Sequence, residues 1–238
     1  MNRRVAKKKK VAIIQSFYVP WKGYFDIMNS VDEFILLDDI QYQRRFWINR
    51  NRIKTSTRPI WLTIPVKSKG KYHQVIRLTE ISDRDWQKKH WETIKRNYKR
   101  AKCFSLYKDL FEELYLTCDT ALISEINERF ILAIRDILGI TSILTHSTEY
   151  ALVDGKTERL IQLCKQSDAN IYLTGPTARD YLEESLFDKE GIEVEYMDYS
   201  GYPKYPQLYD PFIHQVSILD LIFNVGPDAP VYMKSYKE

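Results

Sequence analysis

Val11-Ala-Ile-Ile-Gln-Ser-Phe-Tyr-Val-Pro-Trp-Lys-Gly-Tyr-Phe-Asp26, continued through Phe34-Ile-Leu-Leu37 to Asp39, decides the fold. Val11 to Ile14 is a short apolar run rich in β-branched side chains, the composition of a strand buried on both faces of a parallel sheet. Pro20 removes an amide from any strand pairing and Gly23 frees the backbone. Phe25, Ile27, Met28 and Val31 then recur at roughly helical spacing, and Phe34 to Leu37 forms a second apolar run. The stretch therefore predicts strand, loop, helix, strand. Open α/β sheets bind ligands at the carboxyl ends of their strands, so Gln15, Tyr18, Trp21, Lys22, Gly23 and Tyr24 are expected to share a crevice with Asp38 and Asp39. The competing expectation is a structural turn whose rings only pack.

Working outward, the C-terminal half repeats the pattern. Ser142 to Leu144 predicts a strand, Lys156 to Gln166 a helix, Asn170 to Leu173 a strand, Thr177 to Phe187 a helix and Ile192 to Tyr196 a strand. With the opening unit this gives a parallel, doubly wound, Rossmann-like α/β sheet with right-handed crossovers. Thr174-Gly175-Pro176-Thr177 joins a strand to a helix; with Thr177 as N-cap its amides are placed to meet phosphate. The stretch lacks a full G-x-G-x-x-G pattern, so it carries little weight alone.

The chain between these halves, about residues 40–138, reads as an insertion. Ile60-Trp-Leu-Thr-Ile-Pro-Val66 alternates as a strand, and a basic turn, Lys67-Ser-Lys-Gly-Lys-Tyr-His73, leads to a second strand from Gln74 to Leu78, the two forming a hairpin. Residues 83–138 read as helical, with Gly139 as the stop. After Tyr199 comes an aromatic strap containing Tyr205 and Gln207, then a closing helix from Val216 to Phe223. Residues 1–10 form a basic, apolar-poor tail expected to be flexible, and residues 11–238 a single α/β domain.

The 238 residues, 44% hydrophobic and 13% aromatic, can bury a full core. No apolar run approaches a membrane span and no secretory signal is seen, so a cytoplasmic protein is expected. Cys103, Cys118 and Cys164 show no metal or disulfide spacing and are expected to be reduced; Cys164, beside Leu160, Ile161 and Leu163, belongs to the core. Residues 1–39 carry 7 basic and 5 acidic side chains, residues 40–102 carry 18 and 4, and residues 103–238 carry 11 and 23. Such a polarised chain can hold an anion, phosphate or pyrophosphate, on its basic segment. Without the tail the rest is slightly acidic, which argues against nucleic acid as the main ligand.

Within the basic segment, Gln41-Tyr-Gln-Arg-Arg-Phe-Trp-Ile-Asn-Arg-Asn-Arg52 has the composition of a binding loop. Arg44, Arg45 and Arg50 can each clamp a phosphate or carboxylate, Asn49 and Asn51 offer amide donors and acceptors, and Tyr42 and Trp47 offer stacking faces. Lys67 in the basic turn adds a further charge. His73 is the better histidine for chemistry, whereas His90, on a helical face with Trp86 and Ile94, is expected to be a hydrogen-bonded structural residue.

Gln15-x-x-Tyr18-x-Pro20-Trp21-x-Gly23-Tyr24-Phe25, Asp38-Asp39-x-Gln41-Tyr42 and Trp47-x-Asn49-Arg50-Asn51 resemble the opening signature of the WbqC-like family. The resemblance continues through Trp61-Leu-Thr-Ile-Pro65, Tyr172-Leu-Thr-Gly175, Tyr205-Pro-Gln207 and Ser217-Ile-Leu-Asp220 to Gly226, nearly everything after the first ten residues. It implies a part in bacterial surface polysaccharide (O-antigen) biosynthesis. The expected ligand is a nucleotide-linked or phosphorylated amino sugar, and the expected reaction is transfer of a glycyl-type acyl group to the sugar amine, with Asp38 or Asp39 as base. Tyr172, Thr174 and Gly175, with Tyr205 and Gln207, complete the expected substrate contacts; no metal ligand set or resident cofactor is expected. Two alternatives stand beside this. The first unit is distantly similar to HIGH-type (HUP, nucleotidylyltransferase-like) adenylating folds, which use ATP with magnesium, although the histidines of that motif are missing and Tyr24 stands in the place of one. The other is a non-catalytic scaffold of a polysaccharide assembly complex.

Overall fold

A computed structural model describes residues 8–236. In chain order the elements are β1 (Lys10–Ile14), α1 (Lys22–Asn29), β2 (Glu33–Leu36), β3 (Arg50–Ile53), β4 (Ile60–Thr63), α2 (Trp86–Tyr98), α3 (Phe104–Leu116), α4 (Ile123–Leu138), β5 (Ile143–His146), α5 (Lys156–Gln166), β6 (Ile171–Thr174), α6 (Glu184–Lys189), β7 (Glu193–Tyr196) and α7 (Ile218–Val225). The chain forms two compact units: one takes the chain up to Gln15, Ile27–Leu37 and Thr141–Ser200, the other takes Ser16–Asp26, Asp38–Ile140 and the chain from Gly201 on.

The first unit holds a five-stranded parallel sheet in the order β5-β2-β1-β6-β7. The chain builds outward from β1 to β2 and β5, then returns to the other side of β1 for β6 and β7, as a doubly wound sheet requires. The expected Rossmann-like class is therefore present. Val11, Ala12, Phe34 and Ile35 are fully buried, and each such side chain larger than alanine contributes roughly 1.5–3 kcal/mol. The order reverses between β1 and β6, where Lys10 lies opposite Ile171 and Val11 opposite Tyr172. The carboxyl ends at this switch point are Ile14 and Thr174.

The second unit contains the β3–β4 antiparallel hairpin, the helices α2, α3, α4 and α7, and the strap that follows Gly201. Its core is aromatic: Trp86, Trp91, Tyr98, Phe111, Tyr115, Phe130 and Phe223 are all buried. Trp91 stacks on Phe104 and Tyr115, and Phe223 meets Tyr98, Phe104 and Phe111. The expected helical stretch 83–138 is three helices, and α4 ends as expected at Gly139, whose φ of 69° is the left-handed conformation that glycine adopts without strain.

Two local expectations are corrected. The hairpin partner of Ile60–Thr63 is Arg50–Ile53, not Gln74 to Leu78. The latter stretch makes a single bridge, Val75 to Gln41, and then a 3-10 turn, Ile76–Leu78, because only Ile76 of that turn is buried. Thr177 caps no helix: Pro176–Asp180 is a 3-10 turn and the helix starts only at Glu184. Of the basic tail, residues 1–7 lie outside the described residues, while Lys8, Lys9 and Lys10 pair with Glu193, Glu33 and Glu195.

Candidate functional site

In the first unit, Gln15 follows the end of β1, and Tyr172, Thr174 and Gly175 lie on and just beyond β6. Tyr172 is an interior residue: its ring stacks on Phe187 with centroids 5.4 Å apart, and its hydroxyl donates to Thr174 Oγ1 at 3.3 Å. The Gly175 carbonyl accepts the Ala178 amide and starts the 3-10 turn.

The remaining expected residues belong to the second unit, and many are engaged in its interior. The Tyr18 hydroxyl lies 2.8 Å from His90 Nδ1 and 2.9 Å from the Tyr115 hydroxyl. His90 Nε2 is 3.2 Å from the Thr63 carbonyl, which can only accept, so this nitrogen carries the proton. Burial drives the His90 pKa down to about 4 despite that bond, making His90 the neutral structural histidine expected. Asn51 donates to the carbonyls of Tyr18 and Val19, and Asn49 to that of Ile64. Lys22 is buried, donates to the Pro203 and Tyr232 carbonyls at 3.4 and 3.0 Å, and lies 4.4 Å from the centre of the Tyr202 ring. A Cβ at Gly23 would run into the indole of Trp21, so this position requires glycine for close approach. Burial raises the Tyr24 pKa well above its usual value, and the nearby Asp38 carboxyl adds to the effect.

A second interior network was not expected beyond two of its members. Tyr205 and Gln207 donate to Asp220 Oδ1, both at 2.8 Å, and Tyr98 donates to Oδ2 at 2.8 Å. Lys54 Nζ bonds Gln207 Oε1 and the Pro211 carbonyl, both at 2.6 Å, and the Tyr209 carbonyl. Burial raises the Asp220 carboxyl pKa, opposed by the bonds from Tyr205 and Tyr98 and by Lys54. Burial also lowers the Lys54 pKa, opposed by Asp220 and Asp210. Tyr205 and Gln207 thus anchor the strap to Lys54, just after β3, and to Asp220 of α7, whose other oxygen Tyr98 of α2 holds. Asp220 was visible only as part of a helix motif, and Lys54 gave no signal, because its partners lie more than 150 residues away.

The open part of the site lies along two segments running antiparallel. The Arg77 amide donates to the Asp38 carbonyl at 3.0 Å, the Ile76 amide to Ile40 at 3.0 Å, and the Tyr42 amide to Gln74 at 2.9 Å. Gln41 Nε2 reaches the Tyr72 carbonyl at 2.5 Å. At one end, Asp38 accepts the Ser16 amide at 2.9 Å and Asp39 forms an ion pair with Arg77. At the other end is a cleft of about 540 Å³ lined by Arg44, Val66, Lys67, Ser68, Lys69, Gly70, Tyr72 and Ser82. Three of its walls' side chains are cationic, and among the described residues only Lys67 of these has an acidic partner, Glu80 at 2.6 Å. His73 is exposed in the turn beside Tyr72. Trp47 and Arg50 lie on neither wall; both pack against Trp61 of the hairpin. Chemically, the arrangement offers an anion a cationic cleft and offers a proton two carboxylates on an adjoining segment.

The sequence model described as the WbqC-like protein family matches residues 15–232. The chain is 50% identical over 226 residues to the uncharacterized protein Rv1507c of Mycobacterium tuberculosis (strain ATCC 25618 / H37Rv), covering 95% of this chain and 98% of that one. No solved structure matches the chain. Among the described residues no helix is long and apolar enough to cross a membrane.

Proposed function

The chain belongs to the WbqC-like protein family, and from that premise we propose that it is a transferase acting on a phosphorylated or nucleotide-linked amino sugar in surface polysaccharide biosynthesis, acylating the sugar amine with a glycyl-type group. The observation that carries the reading is the cationic cleft of about 540 Å³ lined by Arg44, Lys67 and Lys69. Guanidinium and ammonium groups there bind the phosphate, the first as a fork and the others as point charges. The segment that leaves the cleft through Gln41 reaches Asp39, whose carboxylate is ion-paired with Arg77. In the reaction the amine attacks the acyl carbonyl of an activated donor, the C–N bond forms, the donor's leaving group departs, and Asp39 takes the amine proton. Asp38, buried and holding the Ser16 amide, positions its neighbour.

A thermal-shift and calorimetric panel tests this: nucleotide-linked 4-amino and 3-amino sugars, the bare nucleotides, and ATP with magnesium. A ligand that binds only the native state raises the melting temperature. The expected result is stabilisation by an amino-sugar nucleotide beyond that given by its bare nucleotide, lost on Arg44→Ala with Lys69→Ala. Stabilisation by ATP with magnesium alone, or none by any ligand, counts against the proposal.

A further inference from the structure

The outward face of the β3–β4 hairpin carries a second arrangement that the cleft does not use. Alternation along β3 buries Asn51 and Ile53 and turns Arg50 and Arg52 outward, and on β4 it buries Leu62 and turns Trp61 and Thr63 outward. The register sets Arg52 opposite Trp61 and Arg50 opposite Thr63. The guanidinium carbon of Arg50 lies 4.1 Å from the Trp61 ring centre and that of Arg52 lies 5.5 Å from it. Trp47 packs on the same ring at 5.4 Å, tilted by 40°. Trp61 nonetheless remains 43% exposed.

Two features of this face point to a ligand. The first is charge: among the described residues neither Arg50 nor Arg52 has a carboxylate partner; Arg50 Nη2 donates to the Arg45 carbonyl, Arg52 makes no side-chain hydrogen bond, and the Nε of each is buried without a partner. Like charges on adjacent same-face positions repel, and an anion that bridges the two guanidinium groups, bonded through the Nη atoms of Arg52 and the remaining Nη of Arg50, removes that repulsion. The second is shape: an indole ring left open to water, held in place by Trp47 and two guanidinium groups, is a stacking surface that needs no reordering when a flat ring settles on it. A planar ring joined to a phosphate satisfies both features at once.

We propose that this face is a nucleoside-phosphate subsite, with the base on Trp61 and the phosphate between Arg50 and Arg52. The inference deepens the sugar-nucleotide reading and rests on it for the biological ligand, but its test is independent of the cleft. Trp61 is a reporter of its own occupancy, since a stacked base quenches indole emission. UMP and AMP are titrated into the wild-type protein, Trp61→Leu, Arg52→Gln and the cleft variant Lys69→Gln, with inorganic phosphate and ribose 5-phosphate as controls. Both side chains lie on the outward face of the hairpin, so the variants are expected to stay folded, which circular dichroism checks; saturation-transfer NMR on the base protons of UMP with wild-type protein gives a reading that needs no variant.

The expected result is saturable quenching by the nucleotides in wild type and in Lys69→Gln, at least tenfold weaker binding in Arg52→Gln, loss of the quenched emission in Trp61→Leu, and at least tenfold weaker binding of ribose 5-phosphate. Equal binding by wild type, Trp61→Leu and Arg52→Gln overturns the proposal, as does absence of both quenching and saturation transfer. A ten-nucleotide single strand binding more than a hundredfold tighter than UMP overturns it in favour of a nucleic-acid surface. If the nucleotides bind here while the amino-sugar panel is flat, the subsite stands and the acyl-transfer reading falls; if inorganic diphosphate binds in the cleft without nucleotide quenching, the reverse holds.

Discussion

At the head of β1 three consecutive lysines, Lys8, Lys9 and Lys10, meet Glu193, Glu33 and Glu195 at 2.8, 2.7 and 2.6 Å, whereas Arg44, Arg50, Arg52 and Lys69 in the second unit have no acidic partner among the described residues. Both groups came from runs of basic sequence, and composition alone does not separate them. The difference lies in what each charge is bonded to. A charge that is paired and partly buried is expected to contribute to stability, while an unpaired surface charge contributes little and is available to a ligand. Substitutions that remove one charge from each group therefore test the comparison, because they should fail in different assays.

The largest effect is expected at Glu33. Its side chain is 4% exposed and is held by Lys9 at 2.7 Å, by Thr145 Oγ1 at 2.6 Å and by the Tyr150 hydroxyl. Glu33→Ala leaves Lys9 and two hydroxyls without their shared acceptor and should cost about 3–5 kcal/mol in urea unfolding. Burial pushes the Glu33 carboxyl up, but the bonds from Lys9, Thr145 and Tyr150 outweigh it and hold the pKa below the ordinary 4.5. The stability it contributes is thus present above pH 4.5 and lost as the pH falls through the depressed value. A cost under about 1 kcal/mol would place Glu33 with the surface charges and dissolve the distinction.

The second unit should draw its stability from its interior rather than from its surface cations. His90 titrates near 6.5 when unfolded and at about 4 when folded. The unfolded chain binds the proton first, so stability should fall as the pH drops from 6.5 to about 4 and level off below, by at most about 3 kcal/mol. His90→Gln should remove that slope. An unchanged slope would mean that His90 is not the group titrating. Lys54 then asks whether pairing or location matters: it is a buried cation of the second unit with three acceptors. Lys54→Met should cost about 2 kcal/mol, behaving like Glu33 and unlike Arg44.

Much of this was legible in the sequence where burial follows chain order. The apolar runs of β1 and β2 and the period of α4 are read directly because sheet and helix faces repeat along the chain. β3 was missed because Arg-Asn-Arg-Ile does not look like a strand: its inner face holds Asn51, which is buried only because it donates to the Tyr18 and Val19 carbonyls. Such a residue satisfies turn carbonyls from a distant segment, and no local pattern encodes that. The same holds for Lys54 with Gln207 and for Asp220 with Tyr98, pairs 153 and 122 residues apart. The basic segment was read correctly as a concentration of charge, but not which cations remain unpaired. Arg77 and Lys67 meet Asp39 and Glu80, partners that depend on how the segments 38–42 and 72–77 run together.

The smallest expected effect on stability carries the most about function. Arg44 and Lys69 line the cleft without carboxylate partners among the described residues, so Arg44→Ala with Lys69→Ala removes repulsion between like charges and no described hydrogen-bonded pair. The melting temperature should stay where it is or rise slightly. Binding of inorganic diphosphate should weaken about tenfold or more, equivalent to about 1.4 kcal/mol. Because an exposed cation acts on an anion through screened water, the wild-type affinity should also fall with added salt and the variant's should fall less steeply. A clear drop in melting temperature with unchanged diphosphate binding would make these charges structural, in the manner of Glu33. An unchanged melting temperature with lost binding and a flattened salt dependence would fix them as charges held for a ligand, since a surface cation with no internal partner has no other favourable interaction to lose.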